Sequence, residues 1–150
     1  MGILDRFSLQ GRVAVVTGGS GPQFGSSLSE GLAEAGATVI CASRSLEANE
    51  KFAKGLTDKG YDAHAMTVDI TDADSIQRLG EQVHERFGDV DVLVNSAVVA
   101  RGGSFEEQTP EYWEFSASGN MVGLFAMSKA FLPAMAARGS GSIINISSIY

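Results

Sequence analysis

The stretch Val13-Ala14-Val15-Val16-Thr17 followed by Gly18-Gly19-Ser20-Gly21-Pro22-Gln23-Phe24-Gly25 limits this chain more than any other. A β-branched run leads into a glycine-rich turn. Beyond it, Leu28, Leu32 and Ala35 recur at helical spacing, and Gly36 supplies a stop. Strand, glycine turn and helix in that order make an anion site. The turn brings backbone N–H groups close to a phosphate, and the helix N-terminus adds its partial positive charge. A side chain at the close positions would block that approach. A glycine turn alone also arises from plain turn chemistry, so its place in the surrounding pattern decides its meaning.

That pattern alternates. Thr38–Ala42 reads as a second strand, with Ser43-Arg44-Ser45 as its exit loop, and a helix from about Leu46 to Lys59 stops at Gly60. Ala63–Val68 is a shorter third strand ending at Asp69. The next helix has Thr71 as its cap, Ile76, Leu79, Val83 and Phe87 on one face, and Gly88 at its end. Val90–Asn95 is strand four. Past the polar loop Arg101–Gln108, Thr109-Pro110 opens a long helix running to about Ala137, with Pro133 placed to kink it. Ser142–Ser147 is strand five, and its apolar run Ile143–Ile146 is that of a strand buried on both faces.

Strands alternating with helices predict an α/β fold, a Rossmann-like doubly wound parallel sheet. Ligands in such sheets sit at the carboxyl ends of the strands. The chemically suggestive residues fall at those exits: the glycine turn, Ser43-Arg44, Asp69, Asn95-Ser96-Ala97 and Ser147-Ser148.

Composition narrows the function classes. Hydrophobic residues at 44% of 150 point to a globular domain or part of one. A net charge of −7 argues against a nucleic-acid partner. The single cysteine, Cys41, forms no internal disulfide and reads as a small buried strand residue, which suggests a reducing, cytoplasmic setting. No signal-peptide pattern and no bilayer-spanning stretch are evident, and two scattered histidines, His64 and His84, predict no metal site.

In order and spacing, these residues resemble the short-chain dehydrogenases/reductases, in their simple single-domain branch, from about Leu9 to Tyr150. Thr17-Gly18 stands where that family begins its Thr-Gly-x-x-x-Gly-x-Gly turn, and Asp69 where it places an aspartate beside adenine. Asn95-Ser96-Ala97-Val98 is similar to its Asn-Asn-Ala-Gly segment. Trp113 with Asn120 resembles its helix carrying an active-site asparagine. Gly141 through Ser148 is the closest match, and Ser148 aligns with the catalytic serine. The resemblance implies cofactor contacts at Gly18, Ser20, Gly21, Phe24, Gly25, Ser43, Arg44, Asp69, Asn95 and Ala97, and catalytic roles for Ser148 and Asn120. Ser148 would hold a carbonyl oxygen and Asn120 a water in a proton relay. It further implies an alcohol or carbonyl substrate and a homodimer or homotetramer joined through the long helix.

Three departures stand out. The glycine turn carries an extra residue around Pro22-Gln23, so its middle must take another path. Val98 replaces a glycine, and a β-branched residue disfavours positive φ. The family's Tyr-x-x-x-Lys pair should fall about a dozen residues past Ser148, whereas this sequence stops at Tyr150, so residues 1–150 read as the N-terminal, cofactor-binding part of the domain, truncated after strand five, a cut expected to leave Ile143–Ile146 as an exposed hydrophobic edge. The cofactor is expected to be NADP, with NAD as the alternative. An NAD site puts a carboxylate at the end of strand two, while Ser43 and Arg44 stand there and a guanidinium attracts a 2′-phosphate. The implied function is hydride transfer between nicotinamide and an alcohol or carbonyl. Two alternatives remain open: a non-catalytic dinucleotide-binding fragment or regulatory relative, and a sugar-nucleotide epimerase of the extended branch.

Overall fold

Residues 2–100 and 103–147 are described in a computed structural model of the protein. Five strands, β1 (Val13–Thr17), β2 (Thr38–Ser43), β3 (Ala63–Thr67), β4 (Val92–Asn95) and β5 (Ser142–Asn145), form one parallel sheet in the order β3-β2-β1-β4-β5. The order reverses beside β1, so the crevice between the β1 and β4 exits is where ligands collect in this architecture. Val13 pairs with Thr38, and Thr17 pairs with Ala42 on one side and Asn95 on the other.

Strand alternation divides the core. Val15, Ile40 and Leu93 face one layer, where Ile76, Leu79 and Val83 of α3 (Ala73–Phe87) meet Met127, Phe131 and Met135 of the last helix. Ala14, Val16, Val39 and Cys41 face the other, against Ala33 of α1 (Phe24–Glu34) and Ala53 and Leu56 of α2 (Leu46–Thr57). Residues two apart on each strand thus serve different helix layers. Burial pushes the Cys41 thiol pKa up, partly offset by its hydrogen bond with Ser29.

Several expectations need correction. The cap of α3 is Asp72, whose carboxylate accepts from the Asp74 N–H at 2.9 Å, and Thr71 turns instead toward Asp69. The long helix is not wound uniformly. It comprises α4 (Pro110–Ala117), a π-helical stretch at Ser118–Gly123, and α5 (Leu124–Arg138), with Pro133 inside α5. A wider turn suits Ser118–Gly123 because Gly119 and Gly123 press on other chain segments: a Cβ at Gly119 would strike Val99, and one at Gly123 the Ile70 carbonyl.

By length and composition this 29-residue helix also qualifies as a membrane span, with a mean hydropathy of 1.2 in its most apolar window, against the sequence expectation. Its position as the β4–β5 crossover, with Met127, Phe131 and Met135 buried in the core, is that of a sheet-covering helix. Strand β5 is shorter than expected; among the described residues it pairs with β4 and forms the sheet edge, with Ile144 42% exposed, as the truncation after strand five implies.

Candidate functional site

Thr17 ends β1 with its side chain buried, and its Oγ1 accepts from the backbone N–H groups of Ser96 and Ala97, both at 3.0 Å. It also donates to the Val94 carbonyl at 3.4 Å. The turn after β1 is therefore tied to the turn after β4. Gly18 follows at φ +66°, where an L side chain is strained, and its N–H donates to the Ala42 carbonyl at 2.7 Å.

The altered glycine turn resolves in a definite way. The Gly21 N–H donates back to the Gly18 carbonyl at 2.8 Å, and the Ser26 N–H to the Gly21 carbonyl at 3.0 Å. The Gly21 N–H is thus committed within the turn. The extra length is taken up at Pro22 and Gln23, and α1 opens at Phe24. As first helix positions, Phe24 and Gly25 present N–H groups with no intrahelical acceptor. A Cβ on Gly25 would collide with the Gly18 carbonyl oxygen, so the chain can pass there only as glycine.

At the β2 exit, sequence reasoning missed a residue. Asn49 of α2 is fully buried, and its Nδ2 donates to the Met66 carbonyl at 2.8 Å. Its Oδ1 accepts from the hydroxyls of Ser20 at 2.6 Å and Ser43 at 2.8 Å. One amide thereby joins the glycine turn to β2 and β3. The signal was available: Asn49, Ala53 and Leu56 share the buried stripe of α2, and a polar residue on such a stripe needs partners. Arg44 is exposed beside it and, with Ser43, Asp69 and Val98, lines a small pocket of about 60 Å³. The Asp69 carboxylate accepts from the Thr71 hydroxyl at 2.7 Å and the Thr71 N–H at 2.9 Å. Those bonds, with a smaller contribution from Arg44, hold its pKa below the ordinary value.

At the β4 exit, Asn95 is buried and donates to Asn145 Oδ1 across the β4–β5 pair at 2.9 Å. Its own Oδ1 is buried without a partner among the described residues and borders the main cleft. Val98 turns without positive φ, and its exposed side chain lies at the wall shared by cleft and pocket.

Asn120 lies in the π-helical stretch, and both of its amide protons are engaged. Oδ1 accepts from the Val99 N–H at 2.8 Å, while Nδ2 donates to the Val99 carbonyl at 2.8 Å and to Ser116 Oγ at 3.1 Å. Its side chain fixes the Val99 backbone and has no donor left over for a water. Ser148 and Tyr150 lie outside the described residues; Ser147 borders the cleft.

The strand exits surround this cleft of about 710 Å³, lined by Thr17, Phe24, Asn95, Ala97, Asn120 and Asn145 among others. No three His, Cys, Asp or Glu side chains converge as metal ligands among the described residues.

A parallel sheet reversing beside a strand–glycine turn–helix unit, with polar side chains gathered at the strand exits, defines the Rossmann-like α/β class. The chain belongs to the short-chain dehydrogenase family, whose model matches residues 12–150. It is 36% identical over 141 residues to the 3-oxoacyl-(acyl-carrier-protein) reductase of Haemophilus influenzae, a match covering 94% of this chain and 57% of that protein. Against the gluconate 5-dehydrogenase of Gluconobacter oxydans it is 33% identical over 145 residues, covering 97% and 56%. Its structure superposes with a TM-score of 0.89 and 34% identity on a gluconate 5-dehydrogenase from Burkholderia cenocepacia in complex with NADP and tartrate, covering 98% and 57%. The chain spans a little over half the length of these relatives.

Proposed function

We propose that this chain is the cofactor-binding part of an NADP(H)-preferring oxidoreductase acting between an alcohol and a carbonyl. The carrying observation is Arg44, exposed at the β2 exit beside Asp69 and Ser43, where an NAD site would place a carboxylate. The solved relative with NADP supports the same reading. The residues fit a dinucleotide: the turn admits only glycine at Gly25, Phe24 and Gly25 offer backbone donors to a pyrophosphate, and the buried Asn95 Oδ1 awaits a donor at the cleft.

A bound nicotinamide cofactor supplies the hydride. Phe24 and Gly25 would hold its pyrophosphate, Arg44 its 2′-phosphate and Asp69 the adenine edge. Asn120 acts as a positioning residue, since it fixes the Val99 peptide at the cleft wall. Ser148 would donate to the substrate oxygen, where charge changes in the transition state. The proton that accompanies the hydride needs an acid–base group, which we assign to a Tyr-x-x-x-Lys pair in the additional length that the relatives possess. Residues 1–150 by themselves should therefore give no turnover. The exposed apolar face of the long helix, including Met121, Phe125 and Leu132, would pack against a second copy.

The test is titration of NADPH and NADH by calorimetry. Arg44→Ala removes a charge-assisted contact worth about 1.5–3 kcal/mol, so NADPH binding should weaken while NADH binding holds. Equal affinity of the unmodified protein for both nucleotides would refute the preference.

A further inference from the structure

The amide of Asn49 has one permitted orientation. Nδ2 lies 2.8 Å from the Met66 carbonyl oxygen and 3.4 Å from that of Ser43, and only an N–H can bond two carbonyls. Oδ1 must face the other way, toward Ser20 Oγ at 2.6 Å and Ser43 Oγ at 2.8 Å. An amide oxygen has no proton to give. Both hydroxyls therefore donate to it, and each has one proton only.

For Ser43 the consequence is chemical. Toward the β2 exit it offers lone pairs and no hydrogen. A 2′-phosphate, mostly a dianion above pH 7, presents acceptors, and two acceptors do not bond. A ribose 2′-hydroxyl has a proton and can donate to Ser43. The hydroxyl beside Arg44 thus matches the nucleotide that lacks the phosphate.

We propose that Asn49 sets the nucleotide selectivity of this site: by taking the Ser43 proton it makes Ser43 an acceptor for a ribose 2′-hydroxyl and leaves the attraction for a 2′-phosphate to Arg44. Asn49 acts through Ser43 and reaches neither nucleotide itself, so it is a positioning residue. The two nucleotides are then held at this corner by different neighbours, and the preference for NADPH is narrower than a serine–arginine pair would give. The proposal rests on the β2 exit being the adenosine-ribose site.

The experiment is calorimetric titration of the full chain with NADPH and NADH at pH 8. Ser43→Ala should weaken NADH roughly two- to tenfold, the scale of one neutral hydrogen bond, and leave NADPH unchanged. Asn49→Leu frees the Ser43 proton and should raise the ratio of NADPH to NADH affinity, a readout that loosened packing alone would not move in one direction. Because Asn49 is buried, that variant is paired with Ser43→Ala, which decides the matter even if Asn49→Leu fails to fold. If Ser43→Ala weakens NADPH as much as NADH, or a folded Asn49→Leu leaves the ratio unmoved, the proposal is overturned. If Arg44→Ala leaves NADPH untouched, the assignment of the β2 exit fails instead.

Discussion

At the scale of single residues, short polar side chains with several partners hold the site together. Thr17 is the case with the clearest consequence. Thr17→Val keeps the shape but leaves the N–H groups of Ser96 and Ala97 without their acceptor. Leaving a buried donor unpaired costs about 1–3 kcal/mol, and these two are only part-buried at the cleft, so urea denaturation should show a loss of up to that size. Asp69 makes a prediction about pH. Its pKa is depressed, chiefly by the Thr71 hydroxyl, so it stabilises the fold above its unfolded value and that contribution is lost as pH falls through the lower folded value. Thr71→Val should move the Asp69 titration upward, toward the ordinary value of about 3.9, and reduce stability at neutral pH. A carboxyl-resonance titration by NMR reads the first effect directly. Little of this was legible in the sequence. The glycine turn, Arg44 and Asp69 announce themselves by residue type and position. Asn49, Asn145 and the choice of Thr71 as a partner for Asp69 depend on contacts between segments far apart in the chain, which local patterns do not carry.

At the scale of elements, periodicity served well wherever a helix packs on one face. Ile76, Leu79 and Val83 are buried as their spacing implied. It failed in the long helix, where the π-helical stretch at Ser118–Gly123 shifts the phase of the side chains and no sequence period marks it. The close approach of Gly123 to the Ile70 carbonyl is the cause to test. Gly123→Ala would improve helix propensity by about 1 kcal/mol on an isolated helix, yet here the methyl group meets a backbone oxygen. The substitution should lower the melting temperature, with the opposite sign to that expected for an unpacked helix. Strand β5 lies at the sheet edge with most of its apolar run exposed, as expected for residues 1–150 taken alone.

At the scale of the whole molecule, apolar surface among the described residues lies open at the β5 edge with Ile144 and on the long-helix face, where Phe125 is 64% exposed. Exposed apolar area of this kind promotes association. Sedimentation velocity on residues 1–150 should show concentration-dependent self-association, and Phe125→Glu should diminish it. A monodisperse monomer at high concentration would contradict the assignment of that face to a second copy.

The tie between Thr17 and the β4 exit also has a kinetic meaning. The amide protons of Ser96 and Ala97 are held by a side-chain hydroxyl and by no strand ladder, while Thr17 itself sits in the middle strand of the sheet. Their exchange with solvent deuterium requires only that the two exits part, whereas the amides of Val15 and Val16 require the strands to separate. These two protons are thus natural timers of the crevice, recording how often it opens while the sheet behind it stays shut.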